Sequence, residues 1–120
     1  MMMFDFEKFT RFVKEAYSNI ESSYSLEEVL RVFWLYFSTY ELYLGKPHPP
    51  IRVRQIERII DAMPWIDAED RGETFDIYPE GYEALIEKHF QTRYQGGCDY
   101  NINHFFSGRV REMRYYEEIY

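Results

Sequence analysis

The densest run of chemically capable side chains is Cys98-Asp99-Tyr100-Asn101-Ile102-Asn103-His104, with Arg109, Tyr115 and Tyr116 behind it. Asp99-x-Asn101-x-Asn103 has the opening spacing of a calcium loop. Such a loop needs glycine sixth and a bidentate glutamate twelfth, where this chain has His104 and Val110. Cys98 and His104 supply a thiol and a base, yet a carboxylate beside the thiol, here Asp99, disfavours the thiolate. A tyrosine nucleophile at 115 or 116 would need His104 and Arg109 around one phosphate, which a single short helix cannot present. Gly96-Gly97 lacks the lysine and the spacing of a phosphate loop. No paired-histidine or His-x-x-x-Glu metal spacing occurs. The carboxylates fall on loops and outer helix faces. The expectation is therefore no catalytic set, no cofactor and no metal.

The elements that must position these groups read as helices. Ser25 to Leu44 is the organising stretch. Ser25 can cap it, Glu28 completes a capping box, and Gly45 followed by Pro47 ends it. At about 100° per residue, Val29, Val32, Phe33, Tyr36, Phe37 and Tyr40 join a broad apolar face. Trp34, Leu35 and Leu42 fall on or beside the polar strip, as a third layer of packing or as a partner-binding ridge. An opening helix runs from Phe4 to Ile20, with Phe9, Phe12, Val13 and Ala16 inward. Lys46 to Pro50 is a stiff connector with His48 exposed on it. Pro50 begins a third helix with Val53, Ile56, Ile59, Ile60 and Met63 inside. Arg52, Arg54 and Arg58 face outward, with the outline of a helix-turn-helix. A solvated face is the preferred reading, because the connector is proline-rich where such turns are tight.

Asp67 to Thr74 is an acidic loop, followed by an extended segment near 74–77 with nothing obvious to pair with it. Pro79 opens a fourth helix that carries His89 on its apolar face, as a hydrogen-bonded core histidine. A final helix starts at Asp99 or Asn101 and runs to about Glu118. Its inner stripe is Ile102, Phe106, Val110, Met113, Tyr116 and Tyr120, with Arg109 in the middle. A buried guanidinium there needs a carboxylate or several carbonyls, so an internal ion pair is preferred to an anion site.

One domain spanning 1–120 is expected from the length, and the 20% aromatic content argues against disorder. The single cysteine excludes an internal disulfide. No leader or bilayer-length apolar run is evident, so a soluble, cytoplasmic protein without a membrane partner is expected. The net charge of −7 is uneven: residues 61–87 carry nine acidic groups and one basic, whereas 49–60 carry three basic and one acidic. A global basic footprint for nucleic acid is absent.

His48-Pro49, Ile59 to Met63-Pro64, Asp76-Ile77-Tyr78-Pro79, Cys98 through Arg109 and Met113 through Glu117 together resemble a group of short uncharacterised proteins. That group is carried on integrative, conjugative and phage-like elements of gut Firmicutes. The likeness covers about residues 25–120 and is most specific at 98–117. It implies a setting in a mobile genetic element and no mechanism. The expected fold is all-α, about five helices in an orthogonal bundle around helix 25–44. The expected function is non-catalytic protein binding through Trp34, Leu35, Leu42, Asp67, Glu69, Asp70 and Glu73. Its sharpest form is an acidic inhibitor of a host nucleic-acid-binding or defence protein. The alternative is a DNA-binding accessory factor using Arg52, Arg54 and Arg58, with Arg111 and Arg114 alongside. Oligomeric state is left open.

Overall fold

A 19-residue helix, α2 (Leu26–Leu44), runs through the molecule and buries Val29, Val32, Phe33, Tyr36, Phe37 and Tyr40. In this computed structural model residues 2–68, 72–107 and 109–119 are described, without the side chains of 68 and 117–119. The start of α2 is fixed as its sequence dictates. The Ser25 hydroxyl accepts from Glu28 N at 3.2 Å, and the Glu28 carboxylate accepts from Ser25 N at 2.8 Å. Its end is fixed by Gly45, whose φ of 68° is the left-handed conformation that closes a helix.

The other described elements are α1 (Phe6–Tyr17), α3 (Val53–Ala62), β1 (Trp65–Ala68), β2 (Glu73–Asp76), α4 (Gly81–Gln91), α5 (Ile102–Phe106) and α6 (Val110–Ile119). The molecule is mainly α-helical, with six helices and one antiparallel hairpin among the described residues. Helix α2 lies against α1 on one side and α4 on another; α3 packs on α1 and α5, and α6 on α4, α5 and β1. That surrounds explain why the apolar face of α2 is wider than a surface helix needs. On the α1 side Phe9 meets Phe33 and Phe37, each with ring centroids 5.0 Å apart. On the α4 side Tyr36 meets Phe90 at 5.2 Å and Phe105 at 5.4 Å. Glu41 ties down the N-terminal segment, accepting from Met3 N at 2.6 Å and Phe4 N at 3.1 Å. No helix of the described residues is long and apolar enough to cross a membrane.

Four expectations are corrected. The extended segment does have a partner: β2 pairs with β1 in the register Trp65↔Asp76, Ile66↔Phe75, Asp67↔Thr74 and Ala68↔Glu73. Directly paired residues share a face, so Ile66 and Phe75 point inward while Trp65, Asp67, Thr74 and Asp76 point out. The final helix is two, α5 and α6. Ser107 takes extended angles (φ −105°, ψ 157°) and a glycine follows it in sequence, a pair with weak helix propensity. That interruption resets the phase of α6, so Met113 is 49% exposed and Arg111 and Arg114 turn inward. Phe12 and Val53, assigned to inner faces, are exposed at 38% and 40%. Helix α3 begins at Val53 rather than Pro50, with Gln55 Oε1 accepting from Arg52 N at 3.0 Å.

Candidate functional site

Helix α4 carries His89 into the core between α2 and the chain that follows α4, where the ring is fully buried. Its partners fix its tautomer. Tyr36 OH donates to the Tyr100 carbonyl at 2.6 Å, so it accepts from His89 Nε2–H at 3.1 Å. His89 Nδ1 is then an acceptor, 2.5 Å from Tyr94 OH, and Tyr94 OH accepts from Arg114 Nη1 at 3.1 Å. Donation runs one way, from Arg114 through Tyr94, His89 and Tyr36 to a backbone carbonyl. Burial, then the Arg114 and His104 charges, push the His89 pKa down to about 4. The neutral ring is a satisfied core residue, as its position on the apolar face predicts.

His48 corrects the sequence reading. It is 3% exposed, not a surface loop residue. Its ring lies 4.9 Å from Phe37 and 4.7 Å from Tyr40. Nε2 accepts from Ile102 N at 2.9 Å, so the proton is on Nδ1, donated to Pro49 O at 2.7 Å. Burial lowers its pKa. His48 thereby clamps the proline-rich connector onto the start of α5.

Arg109 is a second correction: it is exposed and pairs with Glu112 at 3.2 Å, just before α6 begins. The buried guanidinium is one turn phase away. Arg111, 7% exposed, donates from Nη1 to Ala62 O at 2.7 Å and to Tyr82 OH at 2.9 Å, and stacks 4.9 Å over Phe106. Tyr82 OH in turn donates to Met63 O at 2.6 Å. These carbonyls are the negative end of α3, which offsets the charge. Arg111 and Arg114 are thus structural and out of reach of a phosphate backbone.

The loop between α4 and α5 gathers the capable residues noted at 98–104. Gly96 and Gly97 have φ of 86° and 85°, and Tyr100 is left-handed at φ 57°. A left-handed tyrosine is costly. It is held at both ends: its OH donates to Thr92 O at 2.6 Å, its carbonyl accepts from Tyr36, and its ring stacks on Phe90 at 5.2 Å. The turn folds Cys98 and Asp99 back toward α5. Tyr100 N points at Cys98 Sγ (3.3 Å) and Asn101 N at Asp99 Oδ1 (3.0 Å). His104 Nδ1 is 2.7 Å from Asp99 Oδ1. The Asn101 amide, with His104 behind it, holds the Asp99 carboxyl below the usual range. Cys98 Sγ, an Asp99 oxygen and a His104 nitrogen all lie within 4.8 Å of one another. They line a shallow groove of about 670 Å³ together with Tyr94, Ser107 and Arg109. The sequence names these three only as a thiol, a base and an unhelpful carboxylate; that they converge on one point depends on the left-handed turn at Tyr100. The available signal was that the one cysteine stands six residues before a histidine outside any apolar stripe.

The acidic stretch is solvent-facing. Asp61, Asp67, Glu73, Asp76, Glu80, Glu83 and Glu87 are all exposed, and among the described residues none pairs with a cation. Glu69 and Asp70 lie outside the described residues. Trp65 and Tyr78, 37% and 75% exposed, stand among these acids. Asp76, Tyr78, Glu80 and Tyr115 edge a groove floored by Ile77, Ala84 and Leu85. The ridge expected on α2 is only partly exposed. Trp34 is 46% exposed with its ring 5.2 Å from Phe6, Leu42 is 81% exposed, and Leu35 is half-buried against the core. Arg52, Arg54 and Arg58 are exposed on and beside α3.

Comparison with protein-family models, with curated proteins and with solved structures gave no match.

Proposed function

We propose that this protein is a non-catalytic binding module of a mobile genetic element that docks on a partner protein through the hairpin and the outer face of α4. The partner's surface is basic, the kind that binds nucleic acid, and the module competes for it. One observation carries this reading: every described carboxylate of residues 61–87 is exposed and without a cation. Among the described residues this stretch has no ion pair to give up on binding, and its field steers a cationic partner to it. Trp65 and Tyr78 supply what charge lacks, since aromatic residues are enriched among the few that dominate binding energy. The α2 ridge at Trp34, Leu35 and Leu42 is a second contact.

The experiment is a capture from host lysate at low salt, with duplex DNA added as competitor. The expected result is a nucleic-acid-binding protein that DNA displaces and that a quadruple Asp61→Asn, Asp67→Asn, Glu73→Gln, Asp76→Asn variant fails to capture. Capture indifferent to both the competitor and the substitutions overturns the reading.

A second reading, a helix-turn-helix-like DNA-binding accessory factor, is favoured by Arg52, Arg54 and Arg58 standing exposed in front of a hairpin. Against it, Asp67 and Asp76 on the hairpin's outer face would repel phosphate. A mobility-shift assay at low salt decides, because phosphate contacts are then strongest; absence of binding ends it.

A further inference from the structure

We propose that Cys98, Asp99 and His104 form a binding site for one transition-metal ion of the zinc class. The chain has one cysteine and three histidines. Two of those histidines, His48 and His89, are buried with both ring nitrogens engaged. The remaining one, His104, is exposed and within 4.8 Å of Cys98 Sγ and an Asp99 oxygen. The fold thus brings its one thiol to its one accessible imidazole, with a carboxylate between them.

The ligand types fit. Thiolate, imidazole and carboxylate are the donors zinc takes, at about 2.3, 2.0–2.1 and 2.0–2.2 Å. Donors at those lengths around a tetrahedral ion stand about 3.3–3.7 Å apart. The trio therefore closes by about an ångström at its widest, and the His104–Asp99 pair opens from 2.7 Å. A soft thiolate and an imidazole disfavour magnesium and calcium.

Outer groups are in place as well. Tyr100 N and Asn101 N point at the sulfur and at the carboxylate, the kind of support that orients ligands. Arg109 lines the same groove, and its charge is offset by Glu112 at 3.2 Å. Three protein ligands leave a fourth position, which opens onto the groove and is filled by water or by a donor from a partner. On binding, the Cys98 thiol gives its proton to solvent and its sulfur lone pair to the ion.

Cobalt(II), titrated into the reduced full-length chain, is the probe. The expected result is a thiolate-to-cobalt charge-transfer band that saturates at one ion per chain and is displaced by zinc but not by calcium. The chain has no other thiol, so the band reports this site alone. Cys98→Ser abolishes the band, and His104→Ala and Asp99→Asn each weaken cobalt binding about tenfold or more, with the far-UV circular dichroism unchanged. A band that fails to saturate, saturates at one ion per two chains, or survives His104→Ala at full affinity overturns the proposal.

Discussion

A histidine that donates with one nitrogen and accepts with the other has no room for a second proton. His89 Nδ1 accepts from Tyr94 OH and Nε2–H donates to Tyr36 OH, so protonating the ring sets two donors against each other inside the core. Its folded pKa, about 4, lies below the 6.5 of the unfolded chain. Between those values the unfolded state binds more protons, so stability is full above pH 6.5 and falls as pH drops toward 4. The slope is about 1.4 kcal/mol per pH unit. His48, also lowered, adds to the same trend. Urea midpoints at pH 7.5, 6 and 5 should decline, and His89→Gln should flatten the decline; stability independent of pH across that range contradicts the donor chain. Tyr36→Phe should cost about 1–3 kcal/mol, since it leaves the His89 N–H and the Tyr100 carbonyl without their partner. The role of His89 was legible because it recurs with Tyr82, Leu85 and Ile86 at helical spacing. That of His48 was not: flanked by prolines, it carries no period, and its burial comes from α5 arriving from 54 residues away.

At the scale of elements, one interruption moved the chemistry of the C-terminal segment. A continuous helix from Asn101 would carry Arg109 inward. The break at Ser107 instead sends Arg111 to the carbonyl end of α3 and leaves Arg109 at the surface. Arg111→Ala should therefore lower stability by about 1–3 kcal/mol, whereas Arg109→Ala should cost under about 1 kcal/mol. Equal losses in chemical unfolding would mean the phase of α6 is misassigned. The bounds of α2 could be read from Ser25, Glu28 and Gly45, whose side chains and backbone freedom act locally. The hairpin could be read only in part: the alternation near 74–77 marks β2, but β1 is four residues with no such signal and the pairing is tertiary. The α2 ridge gives a matching contrast. Leu42, 81% exposed, has little packing to lose, so Leu42→Ser should leave stability within about 0.5 kcal/mol while weakening partner capture. Loss of capture by neither Leu42→Ser nor Trp34→Ala would remove the ridge from the binding surface.

For the whole molecule, the clustering of charge sets a conflict between folding and binding. The sequence shows nine acids between 61 and 87, but not that the seven described ones all reach solvent without a cation, nor that Trp65 and Tyr78 stand among them. Those facts depend on the hairpin register and on which face α4 buries. Like charges gathered in one segment repel more in the compact fold than in the expanded unfolded chain, so uncompensated acids cost stability. Salt screens that repulsion, with a Debye length of about 10 Å at 0.1 M and about 3 Å at 1 M. The melting temperature should therefore rise with sodium chloride, measured near pH 7.5 where His48 and His89 are neutral. The quadruple variant that neutralises Asp61, Asp67, Glu73 and Asp76 should melt higher than the parent at low salt and show a smaller salt response. Partner binding should move the opposite way, weakening as salt rises. A parent whose stability falls with added salt would mean that these carboxylates are compensated within the fold, and a face already compensated has no unmet charge to offer a basic groove.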